Sequence, residues 1–149
     1  MKHLIVKFLK ETLLVIILIF IVACKSDDIE PELLTGGWTL EQIIIEGSNS
    51  NKVLDQEAVS VALFIDEDHS YYRNYVTGVW SLNDNNLVLD ASPLFNNYWE
   101  CSIIKLTENV LELQIKLTEQ QYLYDFDQFS DDEILTITES YVRSINPSM

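Results

Sequence analysis

Hydrophobic and polar residues alternate with a period of two along most of the chain after residue 33. The clearest case is Val110–Leu117, where Leu111, Leu113, Ile115 and Leu117 share one face and polar side chains occupy the other. Because successive side chains of a strand point to opposite faces, this pattern predicts a half-buried antiparallel strand and not a helix.

The same pattern predicts further strands, separated by turn-forming residues at strand-like intervals. Residues 83–86 (Asn-Asp-Asn-Asn) are expected to form a hairpin turn, because both residue types tolerate left-handed backbone geometry. A helical turn is expected over residues 55–59. The predicted strands span residues 38–46, 59–65, 70–75, 78–82, 87–89, 99–106, 110–117, 121–126 and 134–143.

About eight short strands, paired mostly in sequence order, predict an all-β fold: an antiparallel up-and-down β-barrel. Closing the sheet removes the exposed edges that invite aggregation. A barrel of eight strands is narrow enough to be filled by side chains, or to hold one small ligand. A β-sandwich is the alternative.

The N-terminal segment differs from the rest of the chain. Three lysines precede an apolar run over residues 13–22, and Ala23 stands directly before Cys24. The run is shorter than the roughly 20 residues that a membrane-spanning helix needs. We therefore predict a cleaved export signal over residues 1–23. An uncleaved membrane helix reaching back to Leu4 is the alternative, although it would carry Lys7, Lys10 and Glu11.

Residues 21–24, Ile-Val-Ala-Cys, resemble the lipobox of bacterial lipoproteins. The resemblance implies lipidation of Cys24 by a diacylglyceryl thioether, cleavage before it, and acylation of the new amino group. More than one acyl chain anchors a protein durably. The polar tether at 25–32 begins with residues similar to the acidic surface-export signal of many Bacteroidetes lipoproteins. This implies an outer-membrane location with display on the cell surface; the periplasmic face is the alternative.

Several short motifs in the rest of the chain resemble the small lipocalin-like domains of Bacteroidetes lipoproteins. Residues 36–38 (Gly-Gly-Trp) match the G-x-W opening of lipocalins, and residues 78–82 with 87–89 resemble the central hairpin of these domains. Residues 103–106 with 111–113 resemble the next hairpin, and residues 141–143 the closing strand. The resemblance covers residues 33–145, and we place the barrel domain at 33–146.

The lipocalin resemblance implies a contact between Trp38 and Arg143 that closes one end of the barrel. A guanidinium over an indole gains about 0.5–2 kcal/mol, and its aliphatic stem covers apolar surface. Contact between Trp38 and a ligand is the alternative. The chain departs from the family before the third strand, where these domains usually carry an Asp-Gly turn. Residues 66–70 (Asp-Glu-Asp-His-Ser) contain no glycine.

The acidic composition excludes one class of function. The 149-residue chain has a formal net charge of −15. Removing residues 1–23 makes it more negative, because that segment holds three lysines and one glutamate. Such a surface repels phosphates, so no nucleic-acid partner is expected.

Few residues are suited to catalysis or metal binding. His69 is the one histidine of the mature chain and stands in a predicted turn. Cys101 should face the same way as Trp99 and Ile103, as a small buried hydrophobe; a reactive thiol or an intermolecular disulfide is the alternative. Nothing nearby suggests a triad or a four-ligand zinc site, and the acidic clusters do not follow the calcium loop pattern. We therefore expect no enzyme, no cofactor and no dedicated metal site.

A group of aromatic residues lies near predicted strand ends. Amphipathic rings could line a ligand mouth or a partner surface; filling the barrel interior is the alternative. The prediction is a non-catalytic binding module that holds a small apolar ligand, or else a structural or interaction module with a filled barrel and an envelope protein as partner. The aromatic residues are Tyr71, Tyr72, Tyr75, Tyr98, Trp99, Tyr122 and Tyr124.

Overall fold

A computed structural model describes residues 29–55, 61–91, 98–122, 126 and 128–144. Both helices in this part of the chain are single turns, and none is long and apolar enough to cross a membrane. The elements are α1 (Pro31–Leu34), β1 (Gly36–Glu46), β2 (Asn51–Asp55), β3 (Ala62–Ile65), β4 (Ser70–Arg73), β5 (Val76–Asn83), β6 (Asn86–Asp90), β7 (Tyr98–Leu106), β8 (Val110–Leu117), α2 (Glu119–Tyr122) and β9 (Leu135–Arg143).

The strands form one antiparallel sheet that closes into an eight-stranded barrel, with one further strand outside the ring. Closure joins β1 to β9, and the pairing runs from Trp38 opposite Arg143 to Glu46 opposite Thr136. The predicted all-β barrel is therefore confirmed, and the chain does not form the alternative sandwich.

The strand outside the ring is β2, which the sequence pattern did not predict. The second half of β1 pairs with β2, from Gln42 opposite Asp55 to Glu46 opposite Asn51, while its first residues pair with β3. The Gly47 amide donates a hydrogen bond to the Ser50 carbonyl (2.9 Å), which closes the tight turn between β1 and β2. The helical turn expected at 55–59 lies almost wholly outside the described residues.

Two bulges keep the apolar residues of β1 and β7 on the inside. The pairing of β1 with β9 shifts between Leu40 and Gln42, so that Leu40 and Ile43 are both buried while Glu41 is exposed. The pairing of β7 with β8 shifts likewise between Ile103 and Lys105. An extra residue resets the two-residue period, which otherwise would turn one half of each strand outward.

The predicted strand at 121–126 is wrong at its start. Thr118 and Gln121 instead form a capping box: the Gln121 side chain accepts a hydrogen bond from the Thr118 amide (3.0 Å), and the Thr118 hydroxyl accepts one from the Gln121 amide (3.3 Å). These bonds satisfy amides that a helix start leaves unpaired, so residues 119–122 form α2. The predicted strand at 70–75 also ends earlier, at Arg73.

The turns use left-handed residues in place of glycine. Asp84 has a φ of 52° in the β5–β6 hairpin, as the Asn-rich tract predicts. In the turn at residues 66–70, which contains no glycine, His69 has a φ of 68°. Its ring packs 4.9 Å from the Trp80 ring, centroid to centroid, and the Trp80 indole donates to the Asp66 carbonyl (2.8 Å). His69 is thus a structural residue of this turn.

Candidate functional site

One end of the barrel, called here the Trp38 end, is closed by α1 and by Arg143. The guanidinium carbon of Arg143 lies 3.9 Å from the centre of the Trp38 ring. The same guanidinium donates hydrogen bonds to the carbonyls of Thr35 (2.5 Å), Leu33 (2.7 Å) and Glu108 (3.0 Å). Arg143 therefore joins the N-terminal segment, the β7–β8 turn and β9.

The sequence around Trp38 is suited to this contact. Trp38 is fully buried, and its indole nitrogen donates to the Leu34 carbonyl (2.8 Å). Gly36 has a φ of +119°, and a Cβ there would lie 2.7 Å from the Arg143 Nη1 atom. Any other residue at position 36 would push the guanidinium away, because it combines a strained backbone with a steric overlap.

The aromatic residues expected at a ligand mouth do not share one surface. Three of them are buried inside the barrel, two are well exposed on its outside, and one is half-buried. Tyr124 lies outside the described residues, and a ligand mouth stays a prediction. The buried residues are Tyr71, Trp99 and Tyr122; the exposed ones are Tyr75 and Tyr98; the half-buried one is Tyr72.

A charged cluster lies inside the barrel, and its centre is Glu139. This residue of β9 faces inward opposite Leu113 of β8 and is only 3% exposed. Its carboxylate accepts hydrogen bonds from the Arg73 guanidinium, from the Tyr122 hydroxyl, and from the Tyr141 hydroxyl at 2.6 Å. A buried charge is tolerated only when it is paired and hydrogen-bonded, and these donors meet that condition.

Arg73 packs against aromatic rings as well as against the carboxylate. Its guanidinium carbon lies 4.1 Å from the centre of the Trp99 ring and 5.7 Å from that of Tyr122. The Trp99 and Tyr122 rings are themselves stacked, 5.5 Å apart and nearly parallel at 8°. The buried Nε atom of Arg73 has no hydrogen-bond partner among the described residues.

Tyr122 enters the barrel from the end opposite to Trp38, called here the Tyr122 end. It is the last residue of α2, and its ring contacts Phe126 (centroids 5.5 Å apart), which is fully buried. Phe126 is held at its backbone: its amide donates to the buried Glu119 carboxylate (3.0 Å), and its carbonyl accepts from the Lys52 ammonium (2.5 Å).

The pKa values in the cluster follow from burial and from the Glu139 charge. Burial, reinforced by Glu139, raises the pKa values of Tyr122 and Tyr141 well above their ordinary value. Burial lowers the pKa of Arg73, but Glu139, Tyr141 and Tyr122 together outweigh it and the net pKa is raised. Both phenols therefore stay protonated as donors and the guanidinium stays charged.

The Glu139 cluster (Arg73, Tyr122, Glu139 and Tyr141) was not predicted, although the sequence carries a signal for it. In β9 the inward positions are Leu135, Ile137, Glu139 and Tyr141, so a glutamate interrupts an otherwise apolar face. A charged residue on a core-facing stripe requires a buried partner. The alternation does not say which cation on another strand supplies it.

What the Glu139 cluster can do chemically is hold neighbouring elements of the barrel together. The Glu139 carboxylate connects β4, α2 and β9 through three buried donors, so Tyr122 is fastened in the barrel. Among the described ranges, no three His, Cys, Asp or Glu side chains are grouped so that they could hold a metal ion.

We expect the Cys101 thiol to be unreactive in the folded protein. Cys101 is 2% exposed, and burial, together with the nearby Glu139 charge, raises its pKa to about 12. Because the thiolate is the nucleophile, a disulfide-exchange reagent at mildly alkaline pH should label Cys101 only after denaturation. Rapid labelling of the native Cys24→Ser variant, monitored by absorbance, would contradict this burial.

We also expect the protein to lose stability as the pH rises above about 10. A tyrosine in the unfolded chain ionises near its ordinary pKa of 10.0, whereas burial raises the pKa of Tyr71 to about 12. A phenol whose pKa is raised in the folded state contributes fully to the stability of the fold below pH 10. This contribution is lost as the pH rises through the folded-state pKa. Denaturant unfolding at increasing pH, beside a titration of tyrosinate absorbance, measures both effects. Ionisation of every phenol of the folded protein near pH 10 would contradict the prediction.

The Trp38–Arg143 contact has the geometry that the lipocalin resemblance implies, but two residues do not define a family. Comparisons with protein-family models, with curated proteins and with solved structures found no match to this chain, so the resemblance to lipocalin-like lipoproteins stays a prediction.

Proposed function

We propose that this chain is a lipoprotein held at the outer membrane by acyl chains on Cys24, with its barrel displayed at the cell surface. The support is in the sequence: lysines, a short apolar run and a lipobox-like tetrapeptide occur in the order that an export signal requires. Residues 1–28, including Cys24, lie outside the described residues. The tether leads into α1, so the Trp38 end would be the one nearer the membrane.

Counting free thiols tests the anchor. The chain has two cysteines, Cys24 and Cys101. Protein purified from its own cells and then denatured should expose one thiol, because the other is a thioether. Two free thiols, or an N-terminus before residue 24, would refute the lipid anchor. A Cys24→Ser variant should leave the membrane fraction, and protease treatment of intact cells should distinguish surface display from the periplasmic face.

We propose that the barrel is a non-catalytic interaction module whose interior is filled by its own side chains. The observation that carries this proposal is the continuous buried core of inward-facing residues, which reaches from Trp38 at one end to Phe126 at the other, both fully buried. Inside it, Glu139 already has its donors. A module of this kind binds its partner with its outer surface.

A small apolar ligand inside the barrel, the other function expected from the sequence, stays a prediction. It would require Tyr122 and Phe126 to leave their positions and would strip Glu139 of a hydrogen-bond donor. Removing one partner from a buried polar group costs about 1–3 kcal/mol, and more for a charged group. The ligand would have to supply this free energy in addition to its own binding.

Native mass spectrometry of the protein purified from its own membrane separates these functions. A polypeptide in fixed stoichiometry, or a polar ligand lost when outer-surface residues are changed, supports the interaction module. A co-purifying apolar molecule of fixed mass refutes the filled interior if the molecule lies in the core. In that case a core variant such as Leu113→Ala changes how much of the molecule is retained, whereas the exposed variant Glu41→Gln does not.

A further inference from the structure

A polar groove lies on the outside of the barrel. It has a volume of about 410 Å³ and is lined by side chains of β6, β7 and β8. This volume lies within the 300–1,000 Å³ of small-molecule sites. The groove, called here the amide groove, is formed by Asn86, Glu100, Ser102, Gln114 and Lys116, with Ile115 at its base.

The sheet register brings these polar side chains into one row. Asn86 lies opposite Ser102, Ser102 opposite Gln114, and Gln114 opposite Thr138 of β9. The Ser102 hydroxyl donates to the Asn86 side-chain carbonyl (3.0 Å), and the Gln114 amide donates to the Thr138 hydroxyl (3.2 Å). Amides and hydroxyls both donate and accept, so this row is a preformed set of uncharged hydrogen-bonding groups.

The position of the groove favours recognition by side chains. The lining residues lie within β6, β7 and β8, each paired with a neighbour on both sides. Their backbone groups are occupied by the sheet ladder, so the groove cannot add a peptide as a further strand. A ligand here has to match amide, hydroxyl and carboxylate groups.

An exposed tyrosine lies on the outer face of β7, two residues before Glu100 at one end of the groove. Tyr98 is 56% exposed and points outward like Glu100 and Ser102, at the second and fourth positions after it in β7. A ring on that side offers an apolar platform with a polar tip. Planar polar side chains next to an aromatic platform are complementary to a ring that carries hydroxyls on its rim and C–H groups on its face.

The charges of the groove select a neutral ligand. The chain as a whole has a net charge of −15, which disfavours anions. Within the groove the Glu100 carboxylate accepts from Asn86 (3.0 Å), and the Lys116 ammonium has no ion pair among the described residues. One carboxylate and one ammonium cancel, and both bond well to hydroxyls.

We propose that the amide groove binds a neutral saccharide, with Gln114 and Ser102 bonding its hydroxyls and Tyr98 stacking on a ring. The inference rests on the proposed function, because it names the ligand class of an outer surface that is displayed at the cell envelope. It needs no covalent step and no movement of the barrel interior.

The test uses the full chain in a detergent whose head group is not a sugar, since sugar head groups would compete. An immobilised panel of neutral and anionic oligosaccharides is screened first, and neutral hits are titrated by calorimetry. Gln114→Ala should weaken binding about 2- to 10-fold, and the double variant Gln114→Ala/Tyr98→Ser by about tenfold or more. The matched controls are Gln42→Ala, on the same outer surface in β1, and Tyr75→Asn, another exposed tyrosine; neither should change binding.

Each outcome separates this inference from the function on which it rests. Neutral binding that falls in the groove variants and persists in the controls supports it. Failure of the folded chain to bind any neutral oligosaccharide at millimolar concentration overturns it, as does binding of anionic oligosaccharides alone. Capture of a polypeptide by the same groove residues, without saccharide binding, refutes the saccharide proposal but agrees with the proposed interaction module.

Discussion

Replacing Glu139 by alanine should lower the free energy of unfolding by about 3–5 kcal/mol, the usual cost of breaking a buried ion pair at one partner. The substitution leaves the Arg73 guanidinium buried without its carboxylate, and it leaves the hydroxyls of Tyr122 and Tyr141 without an acceptor. Because the Tyr122 side chain is held by this network and by its ring contacts, the Tyr122 end should open first. Denaturant unfolding of the full chain measures the loss, and hydrogen exchange shows where it begins.

An exposed ion pair on the same barrel is the matched control. Lys105 and Glu112 lie 3.6 Å apart, with side chains 52% and 29% exposed. Glu112→Ala should change the stability by about 1 kcal/mol at most, because solvent screens such pairs. The double variant Arg73→Met/Glu139→Leu should be more stable than Glu139→Ala alone, since it leaves no unpaired charge. Equal losses for Glu112→Ala and Glu139→Ala would contradict a buried Glu139.

The ring strands were predictable where burial alternates. In β8 the predicted and observed bounds are the same, Val110–Leu117, because alternate side chains are buried along its length. β2 escaped prediction because it stands outside the ring: none of its residues is fully buried, so its sequence carries no strong alternation. In α2 the apolar spacing after Gln121 indicated a strand, but the capping box of Thr118 and Gln121 decided the local structure.

The residues of the interior site were harder to predict than the strands. Alternation places Glu139 on the inner face of β9, and it places Arg73 on the same face of β4 as the buried Tyr71. It cannot pair them, because they are brought together by closure of the whole sheet and not by neighbouring strands. Tyr122 depends on a helical turn that the pattern misassigned. Local periodicity therefore predicts which single residues face inward, whereas the closure of the whole sheet determines which of them meet in the cluster.

Replacing Trp38 by alanine should lower the free energy of unfolding by about 3–5 kcal/mol, as large aromatic truncations in protein cores do. The fully buried indole fills the Trp38 end, and it forms a hydrogen bond to the Leu34 carbonyl that holds α1 against the barrel. The loss should be measurable by denaturant unfolding of the full chain. Tyr75→Asn, at an 87% exposed position, is the control and should change stability by no more than about 0.5 kcal/mol.

The contact between Trp38 and Arg143 itself is measured by a double-mutant cycle with Trp38→Leu and Arg143→Met. Arg143→Met keeps an apolar stem but leaves three carbonyls, of Leu33, Thr35 and Glu108, without their donor. We expect a coupling of about 0.5–2 kcal/mol between the two positions, because the guanidinium lies 3.9 Å from the ring centre. If the two losses simply add, the guanidinium and the indole do not stabilise each other, and their contact does not contribute to closing this end of the barrel.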